Sequence, residues 1–218
     1  MSAEERDALI EEASIRLAQR MSVAVTTWHE IATWYGHQTI PGISERGSSF
    51  TWDDGTAHIV GAVIGASALR RNESDWDYAV THAIDDELWD LQVLPKKDQR
   101  HAASVAAQRW SKGGVAIRRD LEVGLRDSRK TGWLIEELGS DPVAIELPGL
   151  ADVFGKDCSG LVEVRLTPSG SIRRKLWRGL AEGGAGPETL LGEADLLLAV
   201  EQVRAEMGKK WGEGFDRP

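Results

Sequence analysis

Apolar positions recur at helical spacing through the first hundred residues and then give way to short β-branched stretches. Leu17, Met21, Ala24, Val25, Trp28, Ile31 and Ala32 fall three or four apart. Ser2 to about Tyr35 is therefore predicted as one long helix, with acids in its first turns and Gly36 as its stop. A loop follows over His37–Phe50, with Pro41-Gly42 and Gly47 as turn signals. Thr51-Trp52-Asp53-Asp54 has the Thr-x-x-acid form of a capping box and opens a second helix to about Arg71. Ser74-Asp75-Trp76-Asp77 opens a third, to about Leu94 before Pro95, and a fourth runs from about Asp98 to Ser111 ahead of Gly113-Gly114.

Beyond residue 114 the pattern predicts strands at Val115–Ile117, Trp133–Ile135, Val143–Leu147 and Leu161–Leu166. Turn residues separate them at Asp127-Ser128, Gly139–Pro142, Pro148-Gly149 and Pro168–Gly170. Ile172–Leu180 fits strand or helix, Ala181–Pro187 reads as a linker, and Leu190 to about Trp211 reads as a last helix. The expected fold class is α+β in one domain. A helical N-terminal layer of about four helices (1–113) precedes a small, mostly antiparallel sheet and a C-terminal helix (114–218).

Met21–Ser44 stands apart: twenty-four residues with a single formal charge, Glu30. At 100° per residue Glu30 points almost opposite the Leu17–Met21–Trp28 face, among Val23, Thr27 and Trp34. The helix is apolar nearly all round, a pattern that predicts burial on every side. A carboxylate there must pair with a cation, bind a metal, or stay protonated with a raised pKa. A raised pKa is what general acid–base chemistry uses, whereas pairing makes it a structural strut, for which Arg46 in the following loop is the nearby candidate.

His29-Glu30 resembles the start of the zinc-peptidase HExxH helix, but Thr33 stands where the second histidine is required, so that motif fails. His29, Glu30 and Glu45 remain as candidate catalytic residues, with Ser48 and Ser49 to orient them. His29, Glu30 and His58 are the candidate ligands of a divalent transition metal. His58 shares a helix face with Ala57, Gly61 and Gly65, small residues that predict close approach of a neighbouring helix. His82, His101 and the clusters Arg118-Arg119-Asp120 and Arg173-Arg174-Lys175 read as solvated surface. The tryptophans at 28, 34, 52, 76 and 89 read as core.

Composition narrows the classes. Of 218 residues, 26 are Lys or Arg and 35 are Asp or Glu, a net charge of −9 with no basic stripe, so a nucleic-acid partner is not expected. The lone cysteine, Cys158, excludes an internal disulfide and any CxxC site. No run of eighteen apolar residues is present, and Met1–Ile10 is too charged for a signal peptide. Nine of the fourteen aromatic residues are Trp, a bias that composition alone does not explain.

The block Thr27–Gly36, with Pro41-Gly42-Ile43-Ser44-Glu45-Arg46 and Ser49-Phe50…Asp54, resembles the central motifs of a bacterial family of unknown function, number 4056. Weaker similarity follows at Ile117–Leu125, Gly132-Trp133 and Val203–Pro218, so the chain is expected to be the family's central and C-terminal part, from about residue 20 onward. The resemblance implies an exported bacterial protein, often a lipoprotein of the cell envelope, with a further N-terminal region bearing Cys and His. It implies no established reaction. The absence of a signal peptide and the presence of His58, where the family usually has a small polar residue, are departures. The leading reading is a cell-envelope hydrolase-like domain built on His29, Glu30 and Glu45; the alternative is a non-catalytic envelope or scaffold module in which Glu30 is a strut.

Overall fold

Ser2 starts the first helix with a full capping box: its hydroxyl accepts from the Glu5 amide and the Glu5 carboxylate accepts from its own. The helix α1 runs from Ala3–Trp34, closes at Tyr35, and turns at Gly36 with φ +87°, where a side chain would be strained. In the computed structural model the described residues are 1–113, 115–122, 128–131, 143–160, 164–167, 173, 174, 176 and 192–216. Helices α2 (Asp54–Arg70), α3 (Trp76–Asp90) and α4 (Lys96–Trp110) follow. Next come β1 (Ser111–Lys112), β2 (Val115–Ala116), β3 (Ser128–Thr131), β4 (Ala144–Leu147) and α5 (Glu193–Trp211). The strands form two two-stranded antiparallel sheets, β1–β2 and β3–β4, with Ser128 opposite Leu147 and Thr131 opposite Ala144. The fold class is α+β, as the pattern predicts, and no described helix is long and apolar enough to cross a membrane.

Local signals place the helices well. Asp75 caps α3 by accepting from the Tyr78 amide, but α3 stops at Asp90 because Gln92 turns left-handed with φ 52°, not at Pro95. Thr51 donates its amide and hydroxyl to Asp54, so half of the expected box is present, yet α2 begins only at Asp54. Ser128, expected in a turn, opens β3, because the pairing with β4 supplies the ladder partners that its local sequence does not announce. Of the expected strands, Trp133–Ile135 lies outside the described residues, as does the linker Ala181–Pro187, and 164–167 form no extended strand among them. Arg173, Arg174 and Leu176 are helical, which resolves that ambiguous stretch where it is described.

Packing departs from the wheel on α1 and α2. The helix α1 is not buried all round: Met21 and Val25 are 46% and 53% exposed, and His29 continues that stripe, while Val23, Thr27, Glu30 and Trp34 on the other side are buried. On α2 the expected small-residue seam stays open, since a methyl at Gly61 or Gly65 would meet nothing within 4 Å. Instead α2 buries Ile59, Ala62 and Ala66, with Ile59 and Ala62 packing against Val23, Ile145 and Leu147.

The main core joins the C-terminal half of α1 to α5, with Trp28, Ile31 and Trp34 against Leu196, Val200, Val203 and Met207, closed by Phe50, Leu121 and Phe215. Polar groups seam the same helices. Arg20 pairs with Glu193, and Glu206 accepts from Trp34 Nε1 at 2.7 Å and from the Tyr35 hydroxyl at 3.1 Å. Glu206→Ala is expected to cost about 1–2 kcal/mol in urea unfolding, since it strands a buried indole N–H. An unchanged midpoint would show that water replaces it freely. Tryptophan divides between two settings. Trp28 and Trp34 are core and Trp52 packs against Trp110 with ring centroids 4.7 Å apart and planes tilted by 57°, whereas Trp76 and Trp89, expected in the core, lie exposed because α3 buries only its alanines.

Candidate functional site

Glu30 sits where the main core meets the α1–α2–β4 cluster. A pocket lined by Val23, Thr27, Glu30, Phe50, Gly55, His58, Ile59, Asp120 and Glu122 opens beside it, with about 10 Å³ of free volume, enough for one water. Glu30 Oε2 accepts from the Phe50 amide at 2.8 Å, and the Glu30 carbonyl accepts from Ser49 Oγ at 2.7 Å. Its second carboxylate oxygen, Oε1, faces His58 Nε2 at 3.9 Å, beyond a direct hydrogen bond. Phe50 holds φ 55°, a left-handed conformation that bulky residues rarely adopt, and its buried ring and its amide bond to Glu30 offset that cost.

Burial pushes the Glu30 carboxyl up to about 7, against the Phe50 amide, which favours the ionised form; the charges of Asp54 and Asp53 add to the rise and that of Arg119 opposes it. Burial also raises Asp54, despite its two bonds from Thr51, and lowers His58, despite the attraction of Asp54. Near neutral pH the site thus holds a carboxyl on the verge of ionising beside a neutral imidazole. A carboxyl and an imidazole this close are groups between which a proton transfer is chemically feasible.

The cationic strut is not Arg46. Its guanidinium lies over Trp34, 4.3 Å from the ring centroid, and 4.0 Å from Glu206, because that aromatic face outcompetes a buried partner reached from a surface loop. The loop is held by Arg119, which is fully buried. Its Nη1 donates to the Ser49 carbonyl at 2.9 Å, and its Nη2 donates to Gly47 at 2.8 Å and Ala116 at 2.6 Å. Its guanidinium also covers Trp211, and its backbone amide bonds to Phe215. Burial lowers the Arg119 pKa to about 10, so it stays charged at neutral pH. Next to it Asp120 pairs with Lys130 of β3, both buried, and Lys130 also donates to the Glu122 carbonyl at 3.2 Å. This ion pair approaches α2 at Gly55, where a Cβ would stand 3.6 Å from both charged atoms.

Arg119, Asp120 and Lys130 are the residues that sequence reasoning missed. The first two were expected as solvated surface, and they are 0% and 3% exposed. A short run of opposite charges flanked by Ile117 and Leu121 looks the same in sequence whether it is solvated or enclosed. Of the predicted site residues, the structure brings Glu30, Ser49 and His58 together. His29 is exposed, its ring 5.9 Å from that of His37. Glu45 serves its own loop. It accepts from the Thr39 amide and hydroxyl and the Ile40 amide, bonds that hold its carboxyl below the usual range, with a smaller pull from His29. Ser48 donates to the Glu45 carbonyl at 2.7 Å. Among the described residues no three His, Cys, Asp or Glu side chains converge as a metal cage. Cys158 is buried with Leu150 and Val153.

Comparison with known proteins bears on the helical half. The family described as "Protein of unknown function (DUF4056)" matches residues 2–117, that is, α1 through β2. No curated protein and no solved structure matches the chain. The match corrects the expected extent: it begins at residue 2 rather than near 20, and it does not extend into the rest of Ile117–Leu125, to Gly132-Trp133 or to Val203–Pro218. In the tail the structure gives Phe215 a packing role, buried against α5 and bonded to Arg119. With more than half its length matched, the chain belongs to the DUF4056 family of proteins of unknown function.

Proposed function

We propose that this chain is a non-catalytic scaffold or binding module in which Glu30 is the strut that fastens the 37–53 loop to α1, with the cell envelope as its location. The observation that carries this reading is that residue 30 spends both its carbonyl and one carboxylate oxygen on Ser49 and Phe50, beside a pocket with room for one water and for no organic substrate. The strut works through an amide rather than a cation, and Arg119 braces the same loop through the Ser49 and Gly47 carbonyls.

Hydrogen exchange at the Phe50 amide tests it. Glu30→Gln keeps an acceptor and is expected to leave the amide protected. Glu30→Ala is expected to speed its exchange about tenfold or more, as the loss of one buried hydrogen bond implies. Equal protection in all three proteins would remove the strut.

The closeness of His58 Nε2 to a carboxyl that titrates near 7 favours a second reading, a hydrolase-like site in which Glu30 is the general base for a water held between them. That reading draws on His58 rather than on His29 or Glu45. A metal on His29, Glu30 and His58 would require His29 to leave its place beside His37.

A further inference from the structure

The helix α3 leaves a face that nothing in the described chain covers. Asp85, Leu88, Trp89, Gln92 and Val93 line an open groove of about 580 Å³, and Trp89 is 84% exposed. An indole left this far in water beside exposed Leu88 and Val93 is an apolar anchor without a pocket, the kind of group that dominates interfaces. Among the described lining of the groove the charged side chain is acidic, Asp85. Along its sequence, WDYAVTHAIDDELWD, α3 carries Asp77, Asp85, Asp86, Glu87 and Asp90 and no Lys or Arg. Asp86 is neutralised by Arg71, while Asp85 and Asp90 have no ion-pair partner among the described residues. Glu87 and Asp90 stand in the last turn, at the negative end of the helix dipole, where cations belong and none is present. Asp85 on the groove and Asp90 next to Trp89 in the chain thus stay without a counter-charge among the described residues, whereas Glu87 feels the charge of Arg70.

We propose that the α3 face around Trp89 docks a basic, amphipathic segment of another protein, whose apolar side chains enter the groove while Lys or Arg side chains meet Asp85 and Asp90. This rests on reading the chain as a binding module. Charge selects the occupant: a second copy would bring its own net charge of −9 to the interface, and an anionic lipid surface would be repelled by the same carboxylates.

Fluorescence anisotropy tests it on the full chain with a labelled Lys/Leu amphipathic helical peptide, its scrambled isomer and a Glu/Leu counterpart. The amphipathic basic peptide is expected to bind about tenfold tighter than its isomer, and Trp89→Ala to weaken it about tenfold. Asp85→Asn combined with Asp90→Asn is expected to remove most of the salt dependence. Equal binding by Trp89→Ala, equal binding of the acidic or scrambled peptide, or no binding at all would overturn the proposal. So would a dimer in sedimentation that Trp89→Ala abolishes, which would make the occupant a second copy. Glu30→Gln is expected to bind the peptide as the wild type does, so failure at this groove is separable from failure of the strut, which is read at the Phe50 amide.

Discussion

Arg119→Leu is expected to destabilise the protein by about 3–5 kcal/mol in urea unfolding, the largest single-residue effect in this part of the fold. Leucine returns the burial of the aliphatic stem but gives nothing to the carbonyls of Gly47, Ser49 and Ala116 that the guanidinium serves. A buried carbonyl without a donor costs about 1–3 kcal/mol; the Ser49 bond is buried and those to Gly47 and Ala116 are part-buried, so the three together account for an effect of this size. The cation also faces Trp211 at 4.6 Å, an attraction that leucine does not reproduce. Arg119→Lys is expected to be intermediate, at about 1–3 kcal/mol, because one ammonium cannot fork toward three acceptors. If the leucine variant unfolds at the wild-type midpoint, the clamp is not what holds the 47–49 loop.

The second large effect is a pH dependence. The Glu30 carboxyl ionises near 4.5 in an unfolded chain and near 7 in the folded one. Between those values the folded state holds the extra proton, so the contribution of Glu30 to stability is full below about 4.5 and is lost as pH rises through 7. A shift of this size corresponds to roughly 3 kcal/mol across the window. His58 runs the other way: its folded pKa is depressed, so its contribution is present above 6.5 and lost as pH falls. The wild-type curve therefore mixes opposing slopes, and its difference from Glu30→Gln isolates the carboxyl. That difference is expected to grow in favour of the variant from pH 5 to pH 8 by roughly 2–3 kcal/mol. A flat difference would mean that Glu30 titrates as an exposed carboxylate does. The burial that raises this carboxyl is the same burial that makes it a strut.

The helices and their order follow from local chemistry that a sequence displays: the Ser2–Glu5 box, the Asp75 cap, the stop at Gly36. So does the prominence of Glu30, because one charge in twenty-four residues must be accounted for wherever that helix packs. Which side of α1 turns inward was not legible. A helix apolar nearly all round offers several faces of equal hydrophobicity, and contact with Ile59 and with α5 chose the one that leaves Met21 and Val25 in water. The same holds for α2, whose glycines allowed a close approach that no neighbour among the described residues makes.

By itself, then, the sequence determined the α+β class and the helical half and singled out the residue at the centre of the candidate site, since caps, periodicity and missing charges act over a few residues. The partners of that residue belong to the tertiary structure. Arg119 reaches Ser49 across seventy positions, and Glu30 meets Phe50 across twenty, and no local pattern encodes which charge ends in the core and which in water. Burial decides that, and burial is a property of the assembled fold.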